Sequence, residues 1–126
     1  MGKNKIFYEG ATFTTLKADE VKFEGQHKVG SLNDVSYHEL IDIFGQPTYN
    51  QESGDSKVQM EWVIKVVDAD KKEYQLAIYD WKTYDREYTE NHLRTWSIGG
   101  NDEGNPYLLK SFVMLHQMVE IVNNPF

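Results

Sequence analysis

Apolar and polar residues alternate most regularly in the middle of the chain. In residues 58–67, VQMEWVIKVV, Met60, Trp62, Ile64 and Val66 fall on one side, and Glu61, Val63, Lys65 and Val67 on the other. That period of two predicts a half-buried strand. DADKK turns the chain, and EYQLAIYDW, residues 73–81, returns as its hairpin partner. Leu76 and Ile78 share one face of the return strand, Tyr79 and Trp81 the other. RTWSIGG, residues 94–100, predicts a third strand beside them, with Trp96 and Ile98 on one face. The polar stretch 82–93 is expected to be an exposed connection.

Earlier in the chain, residues 5–14 are rich in β-formers, LKADE supplies a turn, and residues 21–30 alternate again. There Val21, Phe23, Gly25, His27 and Val29 point one way, which predicts an N-terminal hairpin. The period changes at SYHELIDIFGQP, residues 36–47. Ser36 and Glu39 form a capping box, and Leu40, Ile43 and Phe44 make the apolar face. Gly45 and Pro47 end this helix. Residues 49–57 read as a polar loop. The chain ends in a second helix, capped by Asn105 with Pro106 in its first turn. Its stripe is Leu108, Phe112, Leu115, Val119 and Val122, widened by Val113, Met114 and Met118.

The predicted order is β-β-α-β-β-β-α. This is an α+β fold, an antiparallel sheet of about five strands with the C-terminal helix packed on one face. Leu76 and Ile78 belong under that helix, so Tyr79 and Trp81 face away from it. Either a lid or a partner is expected over them. A helix this apolar is either covered by the sheet or contributes to a homo-oligomer contact.

Composition narrows the function classes. A chain of 126 residues is expected to form one domain, 1–126. A net charge of -7 argues against direct binding to nucleic acid and suits a partner with a basic surface. With no cysteine, thiolate chemistry and Cys-ligated zinc are excluded. MGKNKIFYEG carries no apolar run of the signal-peptide kind, and no stretch is long enough to span a bilayer. Secretion and membrane insertion are therefore not expected.

Candidate chemistry is sparse. His27, His38, His92 and His116 lack metal-site spacing, so no metal and no cofactor is expected. No nucleophile elbow is present, and no catalytic residue is assigned. Ser97 precedes Gly99-Gly100, where a strand end could offer N–H groups to an anion or simply turn the chain. Glu61 and Asp80 each adjoin a tryptophan within a strand and need a hydrogen-bonding or cationic partner. Lys82 and Arg94 are candidates for that partner. Tyr79, Trp81 and Trp96 offer ring surface for a contact.

As a set, (L/I)xxxFGxP, EWxI, IYDWK and WxIGG resemble a family of small bacteriophage proteins. The motifs fall on Phe44, Gly45 and Pro47; on Glu61, Trp62 and Ile64; on Ile78 through Lys82; and on Trp96, Ile98, Gly99 and Gly100. The resemblance spans residues 36–100, about half the chain. It implies a phage protein acting in the cytoplasm of a bacterial host, and it carries no catalytic role. The leading expectation is a non-catalytic protein that antagonises host defence by inhibiting a nucleic-acid-binding component such as a CRISPR effector. The alternative is a protein that sequesters a signalling nucleotide, with Trp81 or Trp96 stacking on the base. An enzyme using Glu61 or Asp80 with a histidine ranks third.

Overall fold

The computed structural model describes residues 5–22, 26–101 and 105–123. Strands β1 (Lys5–Tyr8), β2 (Ala11–Thr15) and β3 (His27–Asn33) precede helix α1 (Tyr37–Phe44). Strands β4 (Glu61–Val67) and β5 (Glu73–Tyr79) follow, then α2 (Arg86–Asn91), β6 (Thr95–Gly100) and α3 (Tyr107–Asn123). One antiparallel sheet has the order β1-β2-β4-β5-β6-β3. The expected α+β class, the antiparallel sheet and the C-terminal helix on one face are all present.

The sheet has six strands because residues 5–14 split at Glu9-Gly10. Both residues have positive φ, 54° and 78°, as a tight two-residue hairpin turn requires. The expected pairing of 5–14 with 21–30 does not form. The second segment runs on to the far edge of the sheet, where β3 pairs with β6. Alternation shows that a stretch is a strand but not which neighbour it pairs with. Phe23 and Gly25 lie outside the described residues.

One sheet face carries the core. Ile6, Phe13, Val66 and Tyr74 stand side by side, as do Trp62, Ile78 and Ile98. Helix α3 lies on this face through Leu109 and Val113, both buried, and through Phe112. The Phe112 ring stacks on Phe13 at 5.5 Å and approaches Tyr8 at 5.7 Å and Phe44 at 6.3 Å. Its opposite side leaves Met114, Leu115, Met118 and Val119 exposed. Leu115 and Val119, expected on the packed stripe, therefore face outward, and the side chain of Val122 lies outside the described set.

Two buried tryptophans hold α1 at both ends. The Trp96 indole N–H donates to the Val35 carbonyl at 2.8 Å, just before the helix. The Trp62 indole donates to Gly45 at 2.8 Å, just after it. The two rings meet edge-to-face at 5.6 Å. The Ser36–Glu39 capping box forms, and Gly45 has the positive φ, 78°, of a helix stop. This small helix is thus fixed by its own caps and by both neighbouring strands.

Candidate functional site

The second sheet face is polar at its margins and covered in the middle. Cross-strand pairing places Glu61, Tyr79, Ser97 and Ser31 in one row across it. Tyr49 extends the row through a two-hydrogen-bond bridge to Glu61. Residues on the way from β2 to β3 reach this face: the Lys22 N–H donates to Gln75 Oε1 at 3.2 Å, and the Gln26 side chain lies against Gly99. Lys22 and Gln26 thus form a partial lid over the second face.

Where the lid ends, a cleft of about 290 Å³ remains, lined by Gln26, His27, Val58, Glu61, Tyr79 and Trp81. It is at the small end of the range for small-molecule sites, roughly 300–1,000 Å³. A single ring system fits; a whole dinucleotide does not. Trp81 is 51% exposed at its mouth and meets the half-buried Tyr79 ring nearly at right angles, 86° at 6.2 Å. Lys57 and Lys82 place their ammonium groups 5.9 Å and 5.5 Å from the Trp81 ring centre. A second hollow of about 130 Å³ between β3 and α3 has no aromatic lining.

The chain around Trp81 is anchored. Lys82 and Tyr84 have positive φ, 59° and 56°, at a cost of order 1 kcal/mol each for residues with a side chain. The Lys82 N–H donates to the Lys57 carbonyl at 2.7 Å, tying this turn to loop 49–57. Arg86 of α2 donates to the Asn50 carbonyl at 2.9 Å and pairs with Glu90 at 2.7 Å, closing the same corner. Trp81 is thereby held outward by the backbone and does not collapse onto the sheet.

The electrostatics single out Glu61. Burial pushes its carboxyl above the ordinary glutamate range, and among the described residues no donor offsets that. Burial, and then the Glu61 charge, pushes the Tyr79 phenol up, while the Ser97 hydroxyl pulls it down. Because the folded value for Glu61 is raised, stability is greatest below the unfolded carboxylate value. It falls as pH rises through the folded value. Glu61→Gln is therefore expected to raise Tm at pH 7 and to flatten the acid-side dependence. A Tm that drops in this variant would mean that a donor holds the carboxylate.

The other expected site residues divide. Glu61, Tyr79 and Trp81 line the cleft, Ser97 and Gly99 support Tyr79 from behind, and Lys82 stands over Trp81. A Cβ on Gly99 would run into the end of the Gln26 side chain and lie 3.2 Å from the Tyr79 ring, so glycine here leaves room for the cleft wall. Gly99 and Gly100 do not form a turn or an anion nest: both pair with β3 inside β6. Gly100 backs onto Leu76 and Val29. Trp96 is 1% exposed, with its indole already hydrogen-bonded, so it has no face to offer a ligand.

Asp80 is fully buried and serves the fold. Its Oδ1 accepts from the backbone N–H of Gln59 at 2.8 Å and Met60 at 3.1 Å. Its Oδ2 accepts from the hydroxyls of Thr89 at 2.7 Å and Thr83 at 3.1 Å. The partners are neutral donors, not Lys82 or Arg94; Arg94 donates to the Asp34 carbonyl instead. The stretch 82–93 is accordingly more than an exposed connection, since it contains α2 and buries Thr89 against Asp80. Gln26, Val58 and Lys57 belong to the site and were not legible in the sequence, because they arrive from segments with no pattern of their own. Among the described residues, no group of three His, Asp or Glu side chains is placed to hold a metal ion.

Comparison with known protein families, with curated proteins and with solved structures finds no match to this chain.

Proposed function

We propose that the chain is a non-catalytic binding protein that sequesters a small nucleotide-like ligand in the Glu61–Tyr79–Trp81 cleft. The observation that carries this reading is Trp81, half exposed and held outward beside two lysines at the mouth of a cleft of about 290 Å³. Stacking on an aromatic plate contributes roughly 1–3 kcal/mol per base. Lys82, and Lys57 in its 3.8 Å pair with Asp55, supply charge for a phosphate outside the hollow. The resemblance to phage proteins supports a setting in the bacterial cytoplasm, with a host defence signal as the ligand sequestered.

Native mass spectrometry of the protein purified from host cells, with and without phage infection, tests the reading. A retained nucleotide-sized mass is expected, lost in Trp81→Ala at unchanged Tm, because an exposed side chain costs the fold little. A ligand-free mass in both preparations would overturn it. The second reading is direct inhibition of a host nucleic-acid-binding protein such as a CRISPR effector. It draws on the -7 charge and on the exposed Met114, Leu115, Met118 and Val119 of α3, a surface for that partner or for a second copy of the chain.

A further inference from the structure

We infer that the cleft is built for a guanine base, recognised through the edge that carries O6, N1–H and N2–H, on a free guanine nucleotide. This rests on the proposal that the cleft binds a nucleotide. Glu61 and Tyr79 are direct cross-strand partners on the same sheet face, so their side chains leave the strands about 5 Å apart. Both line the cleft. An ionised carboxylate only accepts hydrogen bonds, and it accepts two in parallel from a planar pair of N–H groups. A phenol that keeps its proton donates one. On one wall of the cleft the pair thus offers two acceptors and, from a phenol that also bonds with Ser97, one donor. The guanine edge offers the complement, two donors and one acceptor. The shift of the phenol away from ionisation agrees with its role as donor.

The other bases match less well. Adenine and cytosine each place a ring-nitrogen acceptor beside their amino group, and that acceptor meets an ionised carboxylate lone pair to lone pair. Uracil has one N–H between two carbonyls. A buried polar group left unmatched in this way is what produces discrimination between ligands of nearly equal size. Trp81 then supplies the stacking plate, which every base shares, and so adds affinity but no selectivity. A guanine within single-stranded nucleic acid presents the same edge. The -7 net charge opposes a polyanion far more than a mononucleotide, and the hollow admits one ring system.

The test is calorimetric titration of the intact protein with guanosine, adenosine, cytidine and uridine 5′-diphosphates, and with a guanine-containing RNA hexamer. Guanosine diphosphate is expected to bind at least about tenfold tighter than the other three. Glu61→Gln should remove most of that preference while keeping its fold, read by Tm. Lowering the pH through the Glu61 titration should weaken guanosine diphosphate and leave adenosine diphosphate unchanged or tighter. Equal binding of all four, unaffected by Glu61→Gln, would overturn the guanine assignment and leave the nucleotide reading standing. Binding of none would overturn both. Tighter binding of the hexamer would overturn the free nucleotide as the source.

Discussion

Trp96→Ala is expected to lower stability by about 3–5 kcal/mol, the range for removing a large buried aromatic side chain. Three losses combine. The cavity lies in the fully buried layer of Trp62, Ile78 and Ile98, where the β-sheet backbone cannot collapse to refill it. The Val35 carbonyl loses its 2.8 Å donor at the start of α1. The Trp62 ring loses its edge-to-face neighbour at 5.6 Å. For a domain of this size the shift is on the order of 10–20 °C in Tm. Trp96→Phe keeps most of the buried area and forfeits only the hydrogen bond, so about 1–2 kcal/mol is expected from it. Urea unfolding followed by circular dichroism checks both. A Trp96→Ala variant within 1 kcal/mol of the parent would show that the tryptophan does not hold α1 to the sheet.

Asp80→Ala should cost a comparable amount, about 3–5 kcal/mol, for a different reason. Little volume is lost, but two backbone N–H groups and two hydroxyls are left buried without their common acceptor. These four donors come from the approach to β4, from the turn after β5 and from α2. The carboxylate is what joins them. Asp80→Asn separates the causes. Its oxygen can still accept from Gln59 and Met60, and its amide can donate to the threonine hydroxyls, so roughly half the loss should be recovered. The same variant reports on the cleft, because Trp81 follows Asp80 directly. Hydrogen exchange should show α2 and residues 81–85 opening in Asp80→Ala ahead of the rest of the fold. Uniform protection across the chain would disprove this.

Asp80 also shows how a functional reading and a structural one diverge from the same letters. In sequence, Glu61-Trp62 and Asp80-Trp81 look alike, an acid beside a tryptophan in a strand. In the fold they are opposites. Asp80 sits on a strand end where a loop and a short helix converge to saturate it, while Trp81 next to it is exposed. Glu61 faces the cleft, and Trp62 next to it is core. Alternation predicts that neighbours part, one inward and one outward. It does not say which partners come to meet them.

What the sequence determined by itself is local. The caps of α1, the Asn105 cap of α3, the β4–β5 hairpin and the inward faces of Met60, Trp62, Ile64, Leu76, Ile78 and Ile98 follow from periodicity and short-range chemistry, and the structure has them all. The tertiary structure decided the rest. It sent β3 to the far edge and set Lys22 and Gln26 against the polar face. It buried Trp96 and Asp80, and it left Trp81 facing solvent. Each of these depends on contacts between residues tens of positions apart, such as Lys22 with Gln75 or Trp96 with Val35. Period and propensity act over a turn of helix or a pair of strands and carry no record of such distances. The cleft exists only where those long-range choices meet.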